Sequence, residues 1–258
     1  MPPLWEKGTM SSPATPAPCC WLIFAAYVTM SLEFFTHDGY QRHNRRRQEH
    51  LASLMLPLAD KTVLELGAGV GDHTSFFIDR NCKVTATDAR EDNLVHLRAR
   101  FPSVTTQVID VEADLPLDLP PHDVVYAYGI LYHLADPSLA LNRIASVATN
   151  MLLLETCVSF GAHEAINPIV ENTNDPTQAA HGLGCRPTRP WVFRSLRRLF
   201  EHVYVPRTQP WHEEFPTNWL NTPPANATGL YRSIFVASRA RLENPLLADT
   251  LLDLQVRQ

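Results

Sequence analysis

Acids and glycines stand at the ends of apolar runs along the middle of this chain. The first group is Val63-Leu64-Glu65-Leu66-Gly67-Ala68-Gly69-Val70-Gly71-Asp72-His73-Thr74, an apolar run closed by three glycines at alternate positions. Glycines there permit positive φ and leave room for a ligand against bare backbone, where the first N–H groups of a following helix meet it. Asp88 comes 23 residues after Glu65, Asp110 closes a third run, and Tyr128-Gly129-Ile130-Leu131-Tyr132-His133-Leu134 follows a fourth. An ionised carboxylate accepts hydrogen bonds from both hydroxyls of a ribose, so Asp88 suits a nucleoside; its alternative is to cap a helix beginning at Ala89. His133 has the residue type of a general base, with an unperturbed pKa near neutrality; the alternative is a packed or helix-capping histidine.

Such groups need a scaffold that brings several strand ends together. Val63, Leu64 and Leu66 suit a strand buried on both faces, and further strands are expected at 83–87, 105–109, 123–127 and 151–156. Between them lie helical patterns: Phe76, Phe77 and Ile78, capped by Asp72 or Thr74; Leu94, Leu97 and Phe101; and, opened by Pro137, Leu141, Ile144, Ala145 and Ala148. This alternation predicts an α/β fold, a parallel sheet with helices on both faces and its ligand crevice outside the carboxyl ends of the strands. Upstream, 39–58 reads as a helix with Leu51, Leu54, Met55 and Leu58 on an apolar face and Arg42, Arg45, Arg46 and Arg47 on a solvated one. A sharper alternative has Tyr40 or one of these arginines closing over a carboxylate-bearing ligand. Downstream, Pro190 starts an amphipathic helix, 202–205 and 231–238 read as strands, and the Leu-rich 246–254 as a short docked helix.

The chain has 258 residues, 45% of them hydrophobic, enough for one substantial core. Its net charge of −5 weighs against nucleic acid as a partner. Five cysteines without Cys-x-x-Cys spacing point to a reducing compartment, and the expected location is cytoplasmic. Residues 1–30 are expected to be a disordered or dispensable segment ahead of a domain at 31–258: Pro2, Pro3, Pro13, Pro16 and Pro18 cannot join a core, and the apolar run 19–30 falls short of the ~20 residues that span a bilayer. No membrane association is expected.

One competing ligand is a nicotinamide dinucleotide, whose turn is Gly-x-Gly-x-x-Gly. Here Asp72 takes the place of the third glycine, and an acid at that point repels phosphate. Taken together, Glu65-x-Gly67-x-Gly69-x-Gly71, Asp88, Asp110-Val111 and 123–133 resemble the successive motifs of class I S-adenosylmethionine-dependent methyltransferases. The resemblance covers about 40–158 and implies a Rossmann-like, doubly wound, seven-stranded sheet with an antiparallel last strand, which 231–238 supplies. It implies that Gly67, Ala68, Gly69 and Gly71 approach the methionine moiety of S-adenosylmethionine, with Glu65 orienting the turn or the amino group. Asp88, with Ala89 beside it, would hold the ribose; Asp110 and Val111, with Glu112 as a nearby alternative, the adenine; Tyr128 and Gly129 the sulfonium. A cofactor with a sulfonium, an ammonium and no phosphate suits an acidic, glycine-lined crevice.

Methyl transfer is an in-line displacement, so the protein mainly aligns the acceptor and excludes water, and His133 is the base if the acceptor must lose a proton. The product would be S-adenosylhomocysteine. Substrate-side insertions are expected at about 157–188 and 207–228, either selecting the acceptor or forming mobile loops, with Tyr132, His163, His181, Trp211 and His212 as candidate contacts. No metal is expected, because adjacent residues such as His212, Glu213 and Glu214 rarely converge on one ion. The expected acceptor is an O or N atom of a small molecule. One alternative is a tRNA wobble-uridine (carboxy)methyltransferase, which 128–133 and 153–156 locally resemble; another is a catalytically silent binding protein of the same fold. The sequence carries no indication of oligomeric state.

Overall fold

A computed structural model of the protein describes residues 32–113, 119–222 and 228–258. The N-terminal segment 1–30 lies outside the described residues. After a helical stretch at 32–36, the chain forms α1 (Asp38–Ser53), β1 (Thr62–Leu66), α2 (Thr74–Ile78), β2 (Lys83–Asp88), α3 (Glu91–Arg100), β3 (Thr105–Val108) and β4 (His122–Tyr128). A 3-10 turn (Leu131–His133), α4 (Pro137–Val147) and β5 (Ala148–Cys157) complete the alternating part. Next come a small antiparallel hairpin, β6 (Pro168–Val170) and β7 (Leu183–Cys185), then α5 (Arg189–Arg197), β8 (His202–Pro206), β9 (Thr208–Gln209), β10 (Arg232–Ser238), β11 (Leu247–Ala248) and β12 (Val256–Arg257).

The main sheet has the order β11-β8-β10-β5-β4-β1-β2-β3. The pairs β3–β2, β2–β1, β1–β4 and β4–β5 are parallel, whereas β10 runs antiparallel to both β5 and β8. Seven of these strands are those expected. The eighth, β11, is a two-residue edge piece that pairs with β8 where a docked helix was expected; Asn244 holds the chain in a turn there, and Leu251 and Leu252 pack on the core without helical structure. An open edge of β8 offers unpaired backbone groups, and the chain satisfies some of them.

Strand periodicity divides the core into two layers. Leu64, Leu66, Val125, Ala127, Leu152 and Leu154 face α4 and α5, where Leu141, Ile144, Val192 and Leu196 meet them. Val63, Val124, Tyr126, Leu153 and Val236 face the other way, against Leu51 of α1, Phe76 and Phe77 of α2, and Leu94 and Leu97 of α3. The chain order reverses between β1 and β4, so the turns after these two strands diverge and leave a crevice between them.

Two local expectations are corrected by the structure. The helix expected over 39–58 stops at Ser53, because Pro57 disfavours helical backbone just before it; Met55 has φ +49° and is 82% exposed, and so leaves the apolar face. Neither Asp72 nor Thr74 caps α2, whose N-cap is His73 with no side-chain bond. The Thr74 hydroxyl donates instead to Glu65 Oε2 (2.6 Å), and Asp72 accepts from Gln41 and Asn44 of α1 (both 3.0 Å) and pairs with Arg100 of α3 (2.7 Å).

Candidate active site

The three turn glycines all have positive φ: +65° at Gly67, +55° at Gly69 and +83° at Gly71. Gly71 faces inward, where an added Cβ would lie 2.9 Å from Leu97 Cγ and 3.1 Å from Phe101; it sets α3 against the turn and does not border the crevice. Gly67 and Gly69 do border it, with the buried Phe35 ring over Gly69. Ala68 is turned away, its N–H donating to Thr87 O (2.8 Å). Glu65 is 2% exposed and lies beneath the turn; burial raises its carboxyl to about 7, against the lowering effect of the Thr74 bond. Its place is that of a strut between β1 and α2, outside the main cavity.

Asp88 ends β2 and reaches the crevice from beside the turn. Its Oδ2 accepts from Gly69 N–H (2.9 Å) and its Oδ1 from Arg90 N–H (2.9 Å) and the Asn93 amide (3.1 Å). Burial raises the carboxyl, and these three donors oppose it. The N-cap position of α3 is Arg90, so Asp88 is held by the turn rather than serving as the cap. At the end of β3, Asp110 Oδ1 accepts from Glu112 N–H (2.9 Å) and Oδ2 meets His181 Nε2 (2.6 Å). The Glu112 carboxylate is directed to the backbone of Ala135 (2.6 Å) and Asp136 (3.1 Å). Ala89, Val111, Tyr128 and Gly129 line the same cavity.

That cavity, about 700 Å³, extends from the glycine turn to Tyr132, His133, His181 and His212. It has the volume of a small-molecule pocket. His163 and Trp211 do not line it. His163 is exposed and its backbone carbonyl accepts from the Thr188 hydroxyl (2.7 Å); Trp211 is 61% exposed. Both sit where loops turn outward, an orientation that composition does not reveal.

The segment after β5 forms one wall. Three bonds from Arg90 Nη2 to the carbonyls of Thr173, Asp175 and Gln178 (3.2–3.3 Å) pin its loop to the β2 end, and His181 reaches Asp110. From β7, Gly184 packs so closely on the 3-10 turn that an added Cβ would lie 2.5 Å from Tyr132 O. This docking delivers Glu171, which follows β6, to His133: Nδ1 of the imidazole hydrogen-bonds Glu171 Oε2. Glu171 also accepts from Ala179 N–H (2.9 Å) and Arg186 (3.0 Å). Burial would raise its carboxyl, but the bond from His133 and these further donors outweigh burial and hold it down to about 2. Burial dominates at His133 too and lowers the imidazole, against the raising effect of Glu171. An ionised carboxylate only accepts, so the Nδ1 proton is fixed toward Glu171 and the Nε2 lone pair is left for a proton.

A second group was not anticipated from sequence. Arg47, expected on a solvated face, is 5% exposed and donates to Glu155 at the end of β5 (2.9 Å). Arg232 of β10 bonds the other Glu155 oxygen (3.0 Å), Glu214 Oε2 (2.5 Å) and the Tyr132 hydroxyl (3.2 Å). Two cations and two anions thus form a buried, mutually neutralised lattice under Gly129. The Tyr132 ring lies between Arg186 and Arg232, each 4.9 Å from its centroid.

A mostly parallel sheet with a reversed strand defines a Rossmann-like fold, and its cavity lies over the glycine turn and the β2 acid. Residues 64–150 match the family described as Methyltransferase domain. An uncharacterized methyltransferase of Mycobacterium tuberculosis is 33% identical over 119 residues, which are 46% of this chain and 48% of that protein. The chain therefore spans about half the length of the curated relatives it matches. Among solved structures, the N-terminal domain of EvdMO1, crystallised in the presence of SAH and D-fucose, is similar with a TM-score of 0.56 and 19% identity, covering 79% of this chain and 84% of that one. The Burkholderia thailandensis 1,6-didemethyltoxoflavin-N1-methyltransferase, with 1,6-didemethyltoxoflavin and S-adenosylhomocysteine bound, is similar with a TM-score of 0.51 and 18% identity, covering 90% of this chain and 94% of that one. Over residues 64–150 the chain is similar to S-adenosylmethionine-dependent methyltransferases, and its fold is that of the class I enzymes. Among the described residues no helix is long and apolar enough to cross a membrane, and Cys82, Cys157 and Cys185 are free thiols.

Proposed function

We propose that the protein binds S-adenosylmethionine and transfers its methyl group to an O or N atom of a small-molecule acceptor, leaving S-adenosylhomocysteine. The observation that carries this reading is one continuous cavity with Asp88 and the glycine turn at one end and the His133–Glu171 pair at the other. The residues fit the cofactor by their chemistry. Asp88 offers a pre-organised acceptor to ribose hydroxyls, Asp110 and Val111 line the cavity beyond β3 and would offer the adenine edge an acceptor and a donor, and Gly67 and Gly69 expose backbone. Bound there, S-adenosylmethionine supplies a methyl carbon already activated for displacement.

The chain's own residues then orient and deprotonate. His133 Nε2 takes the acceptor's proton, while Glu171 holds the imidazole tautomer and stabilises the imidazolium that forms. Burial keeps His133 neutral at pH 7 and ready to accept. Tyr132, clamped between two guanidiniums, is a rigid wall for the acceptor, and His181 and His212 border the same space. The two insertions select the acceptor, and the free thiols favour a cytoplasmic setting. Arg42 is neutralised by Glu213 at the surface, which weakens its candidacy as a contact to an RNA backbone.

The test is transfer of label from methyl-labelled S-adenosylmethionine to panels of small hydroxylated and amine acceptors, with bulk tRNA as a separate arm. Labelled small molecules are expected. Labelled tRNA alone would replace this reading with the RNA-modifying one, and cofactor binding without turnover on any acceptor would favour a silent binding protein.

A further inference from the structure

We infer that His43, His212 and Glu214 form a site for a divalent first-row transition-metal ion on the acceptor side of the cavity. His43 comes from α1, and His212 and Glu214 from the turn after β9. One ligand atom from each lies within 4.8 Å of the others, and the two imidazole centroids are 4.8 Å apart. All three residues are buried and all three line the cavity. Adjacent residues do not converge on one ion by themselves, but here the third donor arrives from a helix 169 residues upstream of His212.

The second observation is His43 itself. It is 7% exposed, yet its Nε2 has no hydrogen-bond partner; Glu214 Oε2 is 3.6 Å away. Buried imidazole nitrogens are normally satisfied, and one without a partner that faces another imidazole and a carboxylate has a lone pair to offer an ion. Donors about 2.1 Å from a metal stand roughly 3.4 Å apart, so the trio needs to close by about 1.4 Å at most, within reach of side-chain rotation. Two imidazoles and one carboxylate suit Zn²⁺, Fe²⁺, Mn²⁺ or Co²⁺ better than Mg²⁺ or Ca²⁺.

The surrounding charges set limits on the site. Arg232 Nε holds Glu214 Oε2, which fixes the carboxylate from behind and leaves Oε1 for the ion. Arg42 is neutralised by Glu213, and Arg47 by Glu155. Coordination by His212 Nε2 gives up the long 3.3 Å contact between its Nδ1 and Glu214 N–H. If the methyltransferase reading holds, on which this last step rests, the ion takes an acceptor oxygen as a further ligand and lowers that oxygen's proton affinity.

The full-length protein, stripped by chelation, is titrated with Co²⁺, with S-adenosylhomocysteine binding measured on the same samples. Expected are about one equivalent bound with visible ligand-field absorption, displacement by Zn²⁺ but not by Mg²⁺, and at least about tenfold weaker binding in His43→Ala and His212→Ala with S-adenosylhomocysteine affinity retained. If a variant loses both ligands, X-ray absorption on the wild-type Co²⁺ complex decides: imidazole nitrogens in the first shell support the site, and a shell of oxygens alone overturns it. No tight Co²⁺ binding by the wild type, or unchanged binding in His43→Ala, overturns it as well. Metal binding without cofactor binding, or the reverse, tells the failure of this inference from the failure of the methyltransferase reading.

Discussion

At the level of single side chains, the proposed reaction has His133 and Glu171 divide the work of taking a proton. Glu171 raises the His133 pKa, while burial, Arg232 and Arg186 lower it, and the balance lies below the ordinary imidazole value. The rate is therefore expected to rise with pH as His133 loses its proton, with a midpoint below 6.5 and a plateau at neutrality. His133→Ala should lower kcat by about 10²- to 10⁴-fold. Glu171→Gln removes the raising influence, so the midpoint should move further down as kcat falls. A full rate and an unchanged profile in His133→Ala would remove it as the base.

Glu65 gives a prediction of the opposite sign. Its folded pKa of about 7 lies above the unfolded value, so its contribution to stability is complete below about 4.5 and is lost as pH rises through 7. Glu65→Gln keeps an acceptor for Thr74 and removes that dependence. Relative to wild type, the variant should gain about 2 kcal/mol in urea unfolding between pH 5 and pH 8, and a difference independent of pH would contradict this. Of these residues, Glu65, Asp88 and Asp110 were legible in the sequence because each is an acid in or at the end of an apolar run. Glu171 was not, because nothing in a polar segment marks which carboxylate docks on a histidine 38 residues away.

At the scale of elements, the alternating strands and helices were readable because their burial follows periods of 2 and 3.6 with apolar residue types. The α1 helix shows where that signal fails. Its inward face carries His43, Asn44, Arg47, His50 and Leu51 at helical spacing, so the period is present but the residue types are polar. These groups are buried through partners far along the chain, with Arg47 and Glu155 separated by 108 residues and Arg232 and Glu155 by 77. The hairpin of β6 and β7 was unreadable for another reason: three-residue strands are too short to show a period. Its seating depends on Gly184. Gly184→Ala sets a Cβ against Tyr132 O, so the hairpin must shift and carry Glu171 from His133. The expected outcome is a lower kcat with S-adenosylhomocysteine affinity little changed. An unaltered kcat would separate the hairpin from catalysis.

At the scale of the whole molecule, two core layers hold a sheet whose switch point between β1 and β4 opens a crevice, and segments distant in sequence roof it. Among them are the start of α1 with Phe35 and Tyr40, the hairpin with Glu171 and His181, and the turn after β9 with His212 to Glu214. The half lined by the glycine turn, Asp88 and Asp110 was legible because its groups follow consecutive strands. The acceptor half is assembled from distant segments, and only the fold brings them together. Everything rests on S-adenosylmethionine chemistry in that crevice, and calorimetric titration with S-adenosylhomocysteine tests it most directly. The account predicts saturable binding at one site per chain, weakened about 10- to 100-fold in Asp88→Ala by the loss of charge-assisted hydrogen bonds to the ribose. A folded protein that takes up no S-adenosylhomocysteine at millimolar concentration, or binds it equally well without the Asp88 carboxylate, would contradict it.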